Sequence, residues 1–354
     1  MQISLKWVNE LVNIEEINFN TLIEKLTLGG FEVEEVLEVD INRKKQIVLD
    51  ISATANRSDS LSIYGIATEI AALLDQPVKN SKYVWASKTW REIFEEQLET
   101  LSEDSDCSMF ISIIVENLTN QVSPKWLKEK LLSSGIVPSN NLVDFQNYIL
   151  LETGYPFEFY DLKKIESELA TSKFNFSIEQ IQKNQTFLAK NQFSYELENS
   201  ILTIKANKIP ISIAGIIGAQ NFSISDSTTS LVIEGSIFKA GKIRQQSRKL
   251  GLRTDRSARY EKSIRSTYLK ESFCRLLSLF RISNPNVTFK LHTMKQTEDQ
   301  PLSVIILRYK TINEILGPTN SSTTIEPKYI SRKQIDEYLI RLNFEFTYDQ
   351  SKDI

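Results

Sequence analysis

Apolar residues at Leu5, Val8, Leu11 and Val12 recur at the three- and four-residue spacing of a helix face, so folded structure is expected from the first residues onward. A second short helix, TLIEKLTL, is expected behind a cap at Asn20 or Thr21, with Gly29 and Gly30 as its stop. The pattern then changes period. FEVEEVLEVD alternates imperfectly and QIVLDISAT alternates well, with Ile47, Leu49, Ile51 and Ala53 on one face, which predicts two antiparallel strands. Helical spacing returns at Leu61, Ile66, Ile70, Leu73 and Leu74, opened by Ser58 or Asp59 and closed by Pro77.

A polar, acidic stretch between residues 79 and 106 marks a passage between domains: a first domain over 1–90, a linker over 91–106 and a second domain over 107–288. The second domain opens with MFISIIVENL as a strand. Ser123 as cap, Pro124 at the first helical position and Gly135 past the end frame the helix PKWLKEKLLSS. LVDFQNYILLETG reads as a helix ended by Gly154, and LTIKAN and IPISIAGIIGA read as strands. One long amphipathic helix is expected from Ser257 through Tyr260, Ile264, Phe273, Leu276, Leu277 and Phe280. Over 289–354 the pattern predicts a strand at SVIILRY, a helical turn at TINEILG ended by Gly317, a helix opened by a capping box of Ser331 and Gln334, and a final strand at FEFTY. That last strand has no evident partner, so this third, small helix-rich domain is expected to be incomplete. Because strands and helices do not alternate regularly, the fold class is α+β, in several domains.

Composition narrows the chemistry. With 41% hydrophobic and 25% charged residues and a mean hydropathy of -0.24, the chain has no uninterrupted apolar run of the roughly 18 to 20 residues that a membrane helix needs. Neither a secretory signal nor a transit peptide is read at the start. Cys107 and Cys274 are expected as small buried hydrophobes rather than a disulfide. His292 is the only histidine, which excludes a Cys/His zinc site and a Ser-His-Asp triad, and no metal site is expected in this chain. A net charge of -3, from 42 basic and 45 acidic residues, argues against a free-standing polycationic nucleic-acid binder, so any RNA contact must be local.

One segment is locally basic. Between Lys239 and Arg265 lie Lys242, Arg244, Arg248, Lys249, Arg253, Arg256, Arg259 and Lys262, against only Asp255 and Glu261. Lysine and arginine neutralise phosphates without reading sequence, so Arg248, Lys249 and Arg253 are candidate phosphate contacts. A solvated helix face or salt bridges at a subunit interface would explain the same charges. Gly215 and Gly218 in AGIIGAQ lack the lysine of a phosphate loop and are read as permitting positive φ or close backbone approach.

Several segments, in order, resemble the β subunit of bacterial-type phenylalanine–tRNA ligase: MQISLKWVNELV, LTLGGFEVEEV, ANRSDSLSIYGIATEIAALL, SPKWLKEKLLSSGIVPSNNLVDFQNYILLETGYPFEFYDL, AGIIGAQNFSISDSTTSLVIEGSIF, IRQQSRKLGLRTDRSARYEK, and LRYKTINEILG through RLNFEF. Ser58 stands where the family has a proline. The resemblance implies a small α+β first domain, a larger α+β editing-type (B3/B4-like) second domain, and the start of a B5-like third. The family's oligonucleotide-binding barrel is missing, since VLEVDINRKKQIVLDIS runs straight through. Organellar members are similar in lacking it. Only 11 of 354 residues are glycine, below the usual ~7%, and Ile, Lys, Asn and Phe are abundant. An AT-rich genome is implied, so a plastid-encoded chain is expected, with a bacterial cytoplasm as the alternative. The family's downstream parts are absent as well, so the sequence reads as truncated.

The resemblance further implies a ligase that attaches phenylalanine to tRNA(Phe) only with an α subunit, in an α2β2 tetramer, using ATP and Mg2+ held by residues outside this chain. It implies no aminoacylation residue here, and an editing pocket for mischarged tyrosyl-tRNA among Asn140, Asn141, Glu158 and Glu234. In that reading Arg248, Lys249 and Arg253 contact tRNA, and Arg253 and Arg259 fall on arginines of the family. Simpler readings are a loop cap for the asparagines and a solvated strand end for Glu234. Glu158 stands where the family has a histidine. Two ionised carboxylates ~6 Å apart would repel by roughly 3 kcal/mol at an effective dielectric near 20. One is therefore expected to stay protonated, or the pocket to repel the tRNA 3′ phosphate, and hydrolysis is expected to be weak. A free-standing editing hydrolase and a non-enzymatic RNA-binding or assembly module remain as alternatives.

Overall fold

The computed structural model describes residues 1–79, 93–94, 99–101, 105–119, 122–139, 141–297, 304–319 and 328–349. Asn140 and most of the stretch expected as a linker lie outside the described residues. In chain order the strands are β1 (Gln2–Ser4), β2 (Phe31–Ile41), β3 (Lys44–Ala53), β4 (Glu99–Thr100), β5 (Cys107–Glu116), β6 (Phe157–Asp161), β7 (Phe176–Gln180), β8 (Gln185–Leu188), β9 (Ser194–Leu197), β10 (Leu202–Ala206), β11 (Ile209–Ile213), β12 (Ile217–Gly218), β13 (Leu231–Phe238) and β14 (Thr288–Gln296). With the helices between them they form the α+β fold that the pattern implies.

The first sheet has the order β1-β3-β2. Its long β2–β3 hairpin turns at Asn42 and Arg43, both left-handed with φ of 54° and 62°. That is the two-residue geometry whose twist matches paired strands, and it leaves no room for an inserted domain. Leu49 and Ile51 join a core with Trp7, Val8, Leu22, Leu26, Ile63, Ile66 and Ile70 from three helices, Leu5–Leu11, Phe19–Leu28 and Ile63–Leu74. Ile47 does not share it. It lies exposed near the hairpin tip, beside exposed Lys44 and Lys45, beyond the helical cover. Two caps also move. Asn18, not Asn20 or Thr21, accepts from the N–H groups of Asn20 and Thr21 at 2.9 and 3.3 Å. Ser62 caps its helix by accepting from Gly65 N–H at 3.0 Å, because the Asp59 carboxylate is already bound to Arg57.

At the centre is a five-stranded sheet of order β4-β14-β5-β13-β6, so β14 straddles position 288/289 and pairs with β5. Helices Asn141–Thr153 and Leu269–Ser283 cover one face. Phe157 meets Phe273 edge-on with ring centroids 4.5 Å apart, and Phe145 meets Phe280 at 5.5 Å. This core is continuous with that of the first sheet. On the opposite face, Phe110, Tyr160, Val232 and Phe238 pack against the sheet β12-β11-β10-β7. Both faces being covered, every residue of β13 is buried.

The long helix expected from Ser257 is two helices, Asp255–Tyr260 and Leu269–Ser283. Between them Ser263 is left-handed, and the Tyr155 hydroxyl donates to the Arg265 carbonyl at 2.7 Å and accepts from Tyr268 N–H at 3.3 Å. Lys262 Nζ donates to the carbonyls of Ala53 and Thr54. Ser123 does not cap the helix Lys125–Leu132; its hydroxyl donates to buried Asp144 instead. Residues 304–308 and 344–348 are not strands, and among the described residues no strand lies beside either. The third region keeps its helices, Tyr309–Leu316 and Arg332–Arg341, the latter with the expected capping box. Cys107 and Cys274 are both buried, and neither is in a disulfide.

Candidate functional site

Glu234 on β13 and Glu158 on β6 are direct partners in the strand register. Both therefore emerge on the face turned toward the sheet β12-β11-β10-β7. Like charges in that position destabilise a sheet unless something intervenes. Arg256, on the short helix opened by the Thr254–Ser257 capping box, lies between them. Its Nη1 donates to Glu158 Oε2 at 3.2 Å and its Nη2 to Glu234 Oε2. Lys190, on the turn between β8 and β9, donates from Nζ to Glu158 Oε1 at 2.7 Å, while its backbone N–H donates to the Gly218 carbonyl at 2.9 Å. The Ser236 and Tyr160 hydroxyls donate to Glu234, and Tyr260 donates to the Ser236 carbonyl at 2.9 Å.

Glu158, Glu234 and Arg256 are buried, with side chains 4%, 1% and 7% exposed; Lys190 is 40% exposed. Burial works against the charge on Arg256, but attraction to Glu234, Tyr260 and Glu158 outweighs it and holds its pKa above the ordinary arginine value. Burial, then the nearby Glu234 charge, pushes the Tyr160 hydroxyl well up. Arg256 and Lys190 lie against the two carboxylates within hydrogen-bond distance, an arrangement that offsets the repulsion expected between the glutamates. A Cβ on Gly218 would stand 3.3 Å from Glu158 Oε1, so backbone approaches the carboxylate closely there. Gly215, at φ +69°, faces Ile243, Phe238 and Tyr260, an apolar packing site and no phosphate cradle.

Asn141 is not brought to this cluster. It begins the helix on the opposite face of the central sheet, buried, with neither side-chain atom hydrogen-bonded. The basic segment is likewise divided. Arg256 and Arg259 point inward; burial lowers the Arg259 pKa to about 10, and its Nη1 donates to the Asp255 carbonyl. Lys249 pairs with Glu198 at 2.9 Å and Arg253 with Glu261 at 3.8 Å. Arg248 is exposed and makes no ion pair among the described residues. Sequence reasoning counted Arg256 as one basic residue of eight and passed over Lys190. The T-x-x-S box around Arg256 was a usable signal, since it fixes Arg256 on the second residue of a helix; the polar turn AKNQF carried none.

Residues 106–283 match the B3/4 domain family. Over 99% of its length the chain is 55% identical to the chloroplastic phenylalanine–tRNA ligase β subunit of Phaeodactylum tricornutum, of which it covers 50%. The chain belongs to the B3/4 domain family. It is also 33% identical, over 98% of its length and 48% of the relative's, to the chloroplastic phenylalanine–tRNA ligase β subunit of Porphyra purpurea. Against the β subunit of Trichormus variabilis the figures are 31%, 92% and 39%. The chain thus spans half or less of the length of these relatives. A solved N-terminal fragment of the phenylalanyl-tRNA synthetase β subunit from Pyrococcus horikoshii aligns over 97% of this chain and 99% of that one at 12% identity and a TM-score of 0.36.

Proposed function

We infer that this chain works as part of the β subunit of a plastid phenylalanine–tRNA ligase, supporting ATP-dependent attachment of phenylalanine to tRNA(Phe) with an α subunit in an α2β2 assembly. The observation that carries this reading is the 55% identity along 99% of the chain to a chloroplastic β subunit. The three regions expected from sequence, 1–90, 107–288 and 289–354, serve in it as an N-terminal domain, an editing-type domain and part of a B5-like domain. The wide docking of the first sheet's core onto the central sheet suits a scaffold that presents one rigid surface to its partners.

ATP and Mg2+ belong to the assembled ligase in this reading. Among the described residues no group of three His, Cys, Asp or Glu is placed to hold a metal, and the glycines of AGIIGAQ face apolar side chains or Glu158. No step of adenylate chemistry is assigned here. Arg248 is the candidate that remains free for tRNA phosphate, with Lys249 and Arg253 available only by exchanging their carboxylate partners. A free-standing hydrolase is less well supported, because the buried glutamates are bound internally. The test is phenylalanine-dependent ATP–pyrophosphate exchange: none is expected from this chain alone, and exchange by the chain without an α subunit would overturn the assignment.

A further inference from the structure

At the centre of the Glu158–Glu234 cluster Arg256 Nε has no hydrogen-bond partner, while both carboxylates are engaged by side chains of this chain. Arg256 reaches both carboxylates from one side, Lys190 binds the remaining oxygen of Glu158 from the other, and two hydroxyls bind Glu234. We propose that Arg256 and Lys190 close this pocket from within: Arg256 fills the space between the two glutamates, Lys190 caps Glu158, and the four charges together latch the central sheet to the β8–β9 hairpin and to the helix Asp255–Tyr260. This rests on reading the chain as an editing-type domain of the ligase and specifies what that domain does: it rejects an aminoacyl ester at this site.

Displacement of Arg256 is unfavourable on geometric grounds. Its helix is fixed by a reciprocal capping box, its guanidinium lies over the Tyr260 ring at 5.9 Å, and its departure would leave two register-paired carboxylates facing each other in a buried site. Lys190 is more exposed, yet its backbone is tied to the Gly218 carbonyl and the neighbouring Ala189 bridges to Ala219. The Gly218 backbone shuts a third side against Glu158. Two cavities, of about 400 Å³ at Ile306–Ile315 and about 70 Å³ between Trp7 and Trp126, border none of the four residues. The sequence separations matter too. Positions 158, 190, 234 and 256 come from four elements, so the ion pairs are tertiary staples and each cation answers a charge that its own element does not supply.

Two readouts test this. With full-length β subunit and its α partner, tyrosyl-tRNA(Phe) serves as the ester probe, and its hydrolysis by the wild type is expected to stay within twofold of the spontaneous rate. In the chain itself, melting temperatures are measured for wild type, Glu158→Gln, Arg256→Met and the double variant. Arg256→Met alone is expected to lower Tm by roughly 6 °C or more, and adding Glu158→Gln to recover part of the loss, since one stranded carboxylate is then neutral. Hydrolysis tenfold above the spontaneous rate would overturn the closed pocket, and strictly additive Tm losses would overturn the latch. Charging of tRNA(Phe) by the same preparations is scored separately. Its absence beside coupled Tm values would sink the ligase reading and leave the latch standing.

Discussion

His292, the only histidine, stacks on Phe174 with ring centroids 4.7 Å apart and meets Phe176 edge-on at 5.1 Å. Burial first, and then the nearby Lys290 charge, lower its pKa below the ordinary 6.5. A depressed folded-state pKa means that the unfolded chain binds the proton more tightly, so the stabilisation is present above pH 6.5 and is lost as pH falls below it. Unfolding followed from pH 7.5 to 5 should show stability falling toward acid, and His292→Phe should flatten that slope. An unchanged slope in the variant would show that carboxylates account for it. Little of this is legible in sequence, where His292 sits in an unremarkable strand. At the same scale the register pairing of Glu158 with Glu234 was hidden, since strand patterns show which residues share a face but not which residue lies opposite.

Elements whose ends are set locally were readable. The β2–β3 pairing, the stops at Gly135, Gly154 and Gly317, and the Ser331–Gln334 capping box all rest on residues close in sequence. The failures share a cause. The helix expected from Ser257 onward keeps its apolar spacing through residues 261–268, and what breaks it is the Tyr155 hydroxyl, 110 residues away from Arg265. Tyr155 is buried, with its pKa pushed up to about 12 by that burial. Tyr155→Phe is expected to destabilise the chain by about 1–3 kcal/mol, by leaving the Arg265 carbonyl and Tyr268 N–H without their partner. Urea unfolding measures the loss. A cost near zero would mean that the break is held by other contacts. Over 304–308 and 344–348 the expected strands do not form, and among the described residues no strand lies beside either, because alternation predicts a strand only where another strand receives its hydrogen bonds.

At the scale of the whole molecule, the chain's one basic segment is not a surface patch. Two of its arginines are in the interior and several of its other cations pair with acids or carbonyls, so net charge along sequence overstated what phosphate could meet. Arg248→Ala is therefore expected to lower the salt slope of tRNA binding by the assembled enzyme by about one unit, with Lys249→Ala and Arg253→Ala each changing it less. Equal effects of all three would contradict the pairing described here. The resemblance to β subunits, by contrast, was legible because it is distributed over many segments. The central proposal, that this chain is part of a β subunit acting only with an α partner, is tested most directly by reconstitution. Full-length β carrying this region, mixed with α, should charge tRNA(Phe) with phenylalanine, while either subunit alone should not. Charging that proceeds undiminished with α alone, or an amino acid other than phenylalanine attached by the pair, would contradict the account.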